Sequence, residues 1–77
     1  MAAYGRPNVG DIVVHEMWHQ CVIKRYTGGD PEPLGSEVRP EFAVAHACEI
    51  ACRDNRRVAV WLTTNDFGYL LLAEFGD

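Results

Sequence analysis

The sequence predicts an α+β fold, a small antiparallel β-sheet of three or four strands with one α-helix packed on one face. The helix is indicated by small apolar residues at helical spacing after Pro40. The sheet is indicated by two runs rich in β-branched, aromatic and leucine residues, 58–64 and 69–75. The whole chain has 77 residues, which is enough for one domain and too few for two.

The first part of the chain holds a leader and an ambiguous segment. Residues 1–10 contain glycine and proline and are interpreted as a flexible leader ahead of a single domain over 11–77. Residues 11–26 fit both a helical and a strand pattern. Because so many of their apolar residues are β-branched, we predict a strand that is broken near Trp18.

A loop and the helix follow. Glycine and proline are concentrated over 27–35, which predicts a break between elements, with a short extra strand at 36–38. The helix is expected over 41–53, since a preceding proline suits the first turn and Glu41 complements the positive end of the helix dipole. Its apolar positions 44, 47, 48 and 51 are small, so the helix can lie close to a sheet.

The two last strands form a predicted hairpin around turn residues 65–68. Strict alternation along both strands places apolar side chains on both faces of this hairpin. One helix covers one face only, and large exposed apolar patches usually mark interaction sites. We therefore expect a second chain to cover the other face, with the leader and the 27–35 loop as the alternative cover. The predicted interface residues are Trp61, Tyr69, Leu71 and Phe75.

Composition excludes several classes of function. The net charge of −4 argues against a general nucleic-acid binder, which needs a basic face to displace counterions. The sequence has no apolar run of the roughly 18 residues that span a membrane, and residues 1–10 lack a signal pattern. Three cysteines are too few for the disulfide framework of a small secreted domain. We expect a cytoplasmic protein with neither a membrane nor a nucleic-acid partner.

The order of these core residues resembles a group of small bacterial proteins with a domain of unknown function. The similarity is carried by Trp18 and Val22 on a strand, the alanine-rich helix, and the Val-x-Val-Trp strand that ends at Trp61. The resemblance implies a strand–strand–helix–strand–strand plan over about residues 12–76. It implies no activity and no site residues.

One segment carries a possible metal motif. His15-Glu16-Met17-Trp18-His19 has the spacing at which a helix presents two zinc ligands and a general base. On a strand, four residues span roughly 13 Å, too far for two Zn–N bonds of about 2.1 Å. A second hypothesis is a non-catalytic metal site with His15, His19 and Cys21 as ligands. Residues 19 and 21 would point to the same side of a strand, with their positions roughly 6.6 Å apart.

Taken together, these patterns predict a small non-enzymatic interaction module that forms a homodimer through an apolar sheet face. A chain of this length gains little net stability from its own core, which favours a partner or a metal. One alternative is a small-ligand or metal-binding protein that uses His15, His19 and Cys21, with zinc as the cofactor. The other is a minimal zinc hydrolase based on His15-Glu16-x-x-His19. No catalytic residue is otherwise assigned.

Overall fold

The computed structural model describes residues 3–54, 56–64 and 68–76 of the chain. Within them the fold is α+β, as predicted, but the sheet has six strands instead of three or four. In chain order the elements are β1 (Ala3–Gly5), β2 (Ile12–Glu16), β3 (Cys21–Arg25), β4 (Glu32–Glu37), α1 (Pro40–Arg53), β5 (Val58–Thr63) and β6 (Tyr69–Phe75).

The sheet is mixed, with the strand order β1-β6-β5-β2-β3-β4. The central strands β2 and β5 run parallel, with Ile12 opposite Val60, and every other neighbouring pair is antiparallel. The expectation of a purely antiparallel sheet is therefore wrong at this pair. Parallel neighbours need a long crossover, which β3, β4 and α1 supply between β2 and β5.

The region 11–26 forms two strands, as the β-branched residues predict. They pair as a hairpin, with Val14 opposite Ile23. The turn between them is closed by a hydrogen bond from the Met17 N–H to the Gln20 carbonyl at 2.8 Å. Trp18 lies in this turn, at the predicted break.

The helix packs its smallest residues on the centre of the sheet. It begins at Pro40, one residue before the predicted start at Glu41. Its buried positions are Ala43, Ala47 and Ala51, whereas the predicted apolar stripe began at Val44. Side chains this small let the helix lie close to β2, β3 and β5, its main neighbours in the sheet. The core beneath it is built from β-branched residues and Cys21: Ile12, Val14, Cys21, Ile23, Val58 and Val60.

Two irregularities in strand pairing change which residues share a face. Between β5 and β6 the register shifts, so that Trp61 pairs with Leu71 and Val60 with Ala73, which leaves Leu72 as an extra residue. Between β3 and β4 a similar shift leaves Leu34 unmatched. Each extra residue forms a β-bulge, so the side chains do not show the strict alternation between the two faces of the sheet that the sequence pattern predicts.

The segment 1–10 contains a strand that the sequence patterns do not indicate. Residues Ala3–Gly5 pair antiparallel with β6 at the edge of the sheet. Beyond them the chain passes over the sheet on the side away from the helix, where Pro7 and Gly10 are buried. The predicted turn at 65–68 lies, except for Gly68, outside the described residues.

Candidate interaction surfaces

The sheet face opposite the helix carries a second apolar cluster. Its buried members are Val13, Ala59 and Trp61, and Tyr26, Tyr69 and Leu71 pack around them. Trp61 is only 8% exposed in the single chain. The expectation that a second chain covers this face is therefore wrong at Trp61, because the polypeptide covers that residue itself.

The cover over Trp61 is the leader segment, which a buried carboxylate fixes in place. Asp11 is 5% exposed and accepts hydrogen bonds from the Trp61 Nε1–H at 2.9 Å and from two backbone N–H groups, those of Asn8 and Ala59. Gly5 approaches the indole so closely that a Cβ there would lie 3.3 Å from the ring. These contacts join the leader, β5 and the indole into one unit.

The loop after β3 borders the other half of the same face. A groove of about 210 Å³ runs between this loop and the sheet. Lys24 lies along it, with its Nζ 3.2 Å from the His15 Nδ1. The groove is lined by Val13, Lys24, Tyr26, Gly29, Pro31 and Tyr69. The leader therefore covers one half of this face and the loop borders the other half. These are the two segments expected from the sequence as the alternative to a second chain.

The predicted interface residues do not form one surface. Trp61 is buried, and Tyr69 and Leu71 are half-buried beside it. Phe75 packs against the helix-side core because the bulge at Leu72 rotates the end of β6. The placement of Phe75 on the face of Trp61 was therefore wrong, since a register shift cannot be inferred from alternation.

The predicted metal ligands also lie apart. His15 is on β2, His19 is in the following turn, and Cys21 is buried in the core under the helix. His19 and Cys21 do not share a strand, and no helix holds the two histidines. The described residues contain no group of three or more His, Cys, Asp or Glu side chains able to hold a metal ion.

The three cysteines are free and differ in environment. Burial, followed by the negative charges of Glu16 and Glu41, raises the pKa of the Cys21 thiol. Burial also raises the pKa of Cys48, with a smaller effect from Cys52. Cys52 itself is exposed, and its thiol contacts a backbone carbonyl one turn earlier in α1.

One corner of the helix-side face is left uncovered by α1. The helix packs on five strands and makes no contact with β1. Tyr4, on β1, is 77% exposed and borders a groove of about 170 Å³. We call this area the β1 corner, and define it by the residues that line the groove: Tyr4, Leu62, Thr63, Thr64, Gly68 and Leu70.

A second exposed apolar area lies at the end of the sheet where β2 turns into β3. Trp18, in the turn, is 91% exposed. Because Cys21 pairs with Glu37, this turn lies beside the segment that connects β4 to α1. We call this area the Trp18 end, defined by the exposed residues Met17, Trp18, Val38 and Phe42. The signal that could have identified it is a tryptophan within a turn, where core packing is rare.

Comparisons with protein-family models, curated proteins and solved structures gave no match for this chain. Among the described residues the helix α1, with 14 residues, is too short to cross a bilayer. Functional assignment therefore depends on the surfaces described above.

Proposed function

We propose that this protein is a non-enzymatic interaction module that forms a homodimer through the β1 corner. The observation that carries the proposal is the exposed Tyr4 on an edge strand that the helix leaves uncovered. An edge strand presents unpaired backbone N–H and C=O groups, which a second chain can satisfy by adding a strand. The apolar groove beside Tyr4 gives the same contact a side-chain component.

The corner suits a second copy because the contact can be self-complementary. In a two-fold arrangement, β1 of one chain runs antiparallel to β1 of the other, and Tyr4 of one protomer lies opposite Tyr4 of its partner. Aromatic pairs at such positions are worth roughly 0.2–1 kcal/mol each, beyond the backbone hydrogen bonds. The strand Ala3–Gly5 contains no charged residue and no proline to oppose this pairing.

The size of the chain supports association. At 77 residues, a domain buries only about 60% of the surface that its unfolded chain exposes, so its own core leaves it marginal. A dimer adds buried apolar surface at roughly 25 cal/mol per Å². The Leu62 and Leu70 side chains, half-buried in the single chain, supply part of that surface.

Sedimentation velocity at two protein concentrations about a hundredfold apart tests the proposal. The native chain is expected to move from the 8.6 kDa monomer towards twice that mass as concentration rises. Tyr4→Glu is expected to remain monomeric, because it places two carboxylates opposite each other across the two-fold axis. Val9→Glu changes another exposed apolar residue of the leader, so it serves as the matched control and keeps the dimer.

Two results would contradict the proposal. A native chain that stays monomeric at the higher concentration removes the dimer. A Tyr4→Glu chain that dimerises as well as the native one removes the β1 corner as its interface.

A further inference from the structure

The Trp18 end is a separate surface from the β1 corner, and its residues come from two segments. The register of β3 with β4 brings the turn at 17–20 next to residues 38–42. The helix α1 begins at Pro40, three residues after Glu37, so its N-terminus is at this end, where the charge of Glu41 acts on the Cys21 thiol. The exposed apolar side chains of both segments therefore lie at one end of the molecule.

The exposure at this end is high for residues of these types. Trp18 is 91% exposed, and its ring contacts His19 edge-on at a centroid distance of 6.0 Å. Val38 and Phe42 are also exposed, as is Met17. Tryptophan is the residue type most enriched at the energetic centres of protein interfaces, and clustered exposed apolar residues mark binding sites.

The charge around these residues is negative. Over residues 16–21 and 37–42 there are three carboxylates, Glu16, Glu37 and Glu41, against the single guanidinium of Arg39. Arg39 pairs with Glu41 at 3.7 Å, and both side chains are largely exposed. The Trp18 end is thus an apolar patch with an acidic border.

From this combination we infer that the Trp18 end binds a basic amphipathic segment of another protein, with apolar residues on Trp18 and Lys or Arg against the glutamates. Complementary charge favours such a partner and suppresses others. A second copy would bring three glutamates against three across a two-fold axis. An anionic membrane surface would meet the same repulsion, since it attracts basic segments.

The probe is a short amphipathic helical peptide of leucine and lysine, compared with a matched peptide of leucine and glutamate. Each is titrated into the ¹⁵N-labelled full chain while amide chemical shifts are followed. We expect the basic peptide to shift residues 17–19 and 38–42. The acidic peptide is expected to bind at least tenfold more weakly. Added salt is expected to weaken the basic complex, because Glu41 is exposed and Glu16 and Glu37 are partly exposed to solvent.

Variants separate the apolar and the charged contributions. Trp18→Ser is expected to abolish binding, whereas Val9→Ser, an exposed apolar residue outside this end, leaves it unchanged. The double variant Glu16→Gln/Glu41→Gln is expected to bind the basic peptide about tenfold more weakly, with Glu49→Gln on the exposed part of α1 as its control. The Tyr4→Glu chain is expected to bind normally, which distinguishes this surface from the dimer contact.

Several results would overturn the inference. One is equal binding of the two peptides, and another is absence of binding by the basic one. Shifts at 17–19 that depend on protein concentration without peptide would identify a second copy as the occupant. Binding to phosphatidylserine vesicles that Trp18→Ser abolishes would identify a membrane.

Discussion

The two edge strands of the sheet, β4 and β1, differ in how well they are protected from other chains. β4 contains Pro33, which cannot donate a backbone hydrogen bond, and a bulge at Leu34. Its two ends are glutamates, and α1 packs on it. β1 has three uncharged residues, and the helix does not reach it.

This difference indicates which edge is available for pairing. Proline, charge, bulges and helix cover are the devices by which natural sheets keep edges from pairing with other chains, and β4 has all four. The only such protection of β1 is its short length of three residues. The leader that carries β1 also covers Trp61. The same segment therefore supplies the proposed dimer edge and covers part of the face opposite the helix.

The largest effect is expected from Asp11→Ala, because the Asp11 carboxylate holds in place the leader that carries β1. The change leaves three donors without their acceptor, among them the Trp61 Nε1–H and the Ala59 N–H. We expect the free energy of unfolding to fall by about 3 kcal/mol. Urea denaturation measures it, and sedimentation is expected to show weaker dimerisation as well.

Asp54→Ala is the matched control for that variant. Asp54 is a partly exposed carboxylate at the end of α1, paired with Arg25 at 3.2 Å. Its loss is expected to cost about 1.5 kcal/mol, the value of one hydrogen bond to a charged group. It is expected to leave dimerisation unchanged, because Arg25 keeps its hydrogen bond to the Gly10 carbonyl. Equal destabilisation by the two variants would show that Asp11 does not anchor the leader.

The next prediction concerns the reactivity of the Cys21 thiol, which lies on β3 beside the edge strand β4. Cys21 pairs with Glu37 of β4 and is buried, whereas Cys52 is exposed. We expect a thiol reagent to modify Cys52 at least about a hundredfold faster than Cys21, because burial and two glutamates raise the pKa of the Cys21 thiol. Mass spectrometry over time measures both rates. Comparable rates would mean that the β4 edge opens readily.

The same raised pKa predicts how stability depends on pH. Below the ordinary thiol pKa, Cys21 is protonated in both the folded and the unfolded chain, so it adds no pH dependence. Above it, the unfolded chain loses the proton first, and the free energy of unfolding falls as pH rises. Cys21→Ala is expected to reduce this slope in alkaline denaturation curves, and an unchanged slope would contradict the assignment.

A smaller effect is expected from Gly35→Ala on β4. A Cβ at residue 35 would lie 3.1 Å from the His46 ring, which packs over this glycine. The imidazole has to move, and the φ of +157° at residue 35 is one that alanine rarely adopts, so we expect a loss of about 2 kcal/mol with no change in dimerisation. Calorimetry combined with sedimentation checks both parts. A change in dimerisation would implicate β4 in the contact.

The smallest effect is expected from Glu37→Gln. Glu37 accepts from the His46 Nδ1 at 3.2 Å, but both side chains are more than one-third exposed. Solvent screening limits such a pair to about 0.3 kcal/mol. Calorimetry at neutral pH checks it, and a loss comparable with that of Asp11→Ala would show that this pair holds β4 in place.

The sequence predicted the elements that have strong local patterns. Pro40 and the spaced alanines define α1, β-branched residues define β2, β3 and β5, and aromatic and leucine residues define β6. The strand β1 was missed because three residues carry no periodicity. β4 begins within the segment interpreted as a loop, where pairing with β3 outweighs Pro33 and Gly35. The parallel pairing of β2 with β5 is a long-range contact that leaves no local signal.

The candidate surfaces were less predictable than the fold. Trp61 was correctly placed on the face away from the helix, but its cover depends on Asp11, which is distant in sequence. Phe75 was misplaced because a bulge adds one residue to β6. Tyr4 and Trp18 became candidates only through their exposure, which depends on where α1 ends and what the turns leave open.

Backbone amide exchange of β1 and β4, measured at a low and a high protein concentration, tests the pairing of the β1 edge most directly. If the dimer forms by adding strand to strand, the outward-facing amides within Ala3–Gly5 exchange more slowly at the high concentration, while those of Glu32–Glu37 exchange at one rate throughout. Slowing confined to β4, or β1 exchange that does not depend on concentration, would contradict the account.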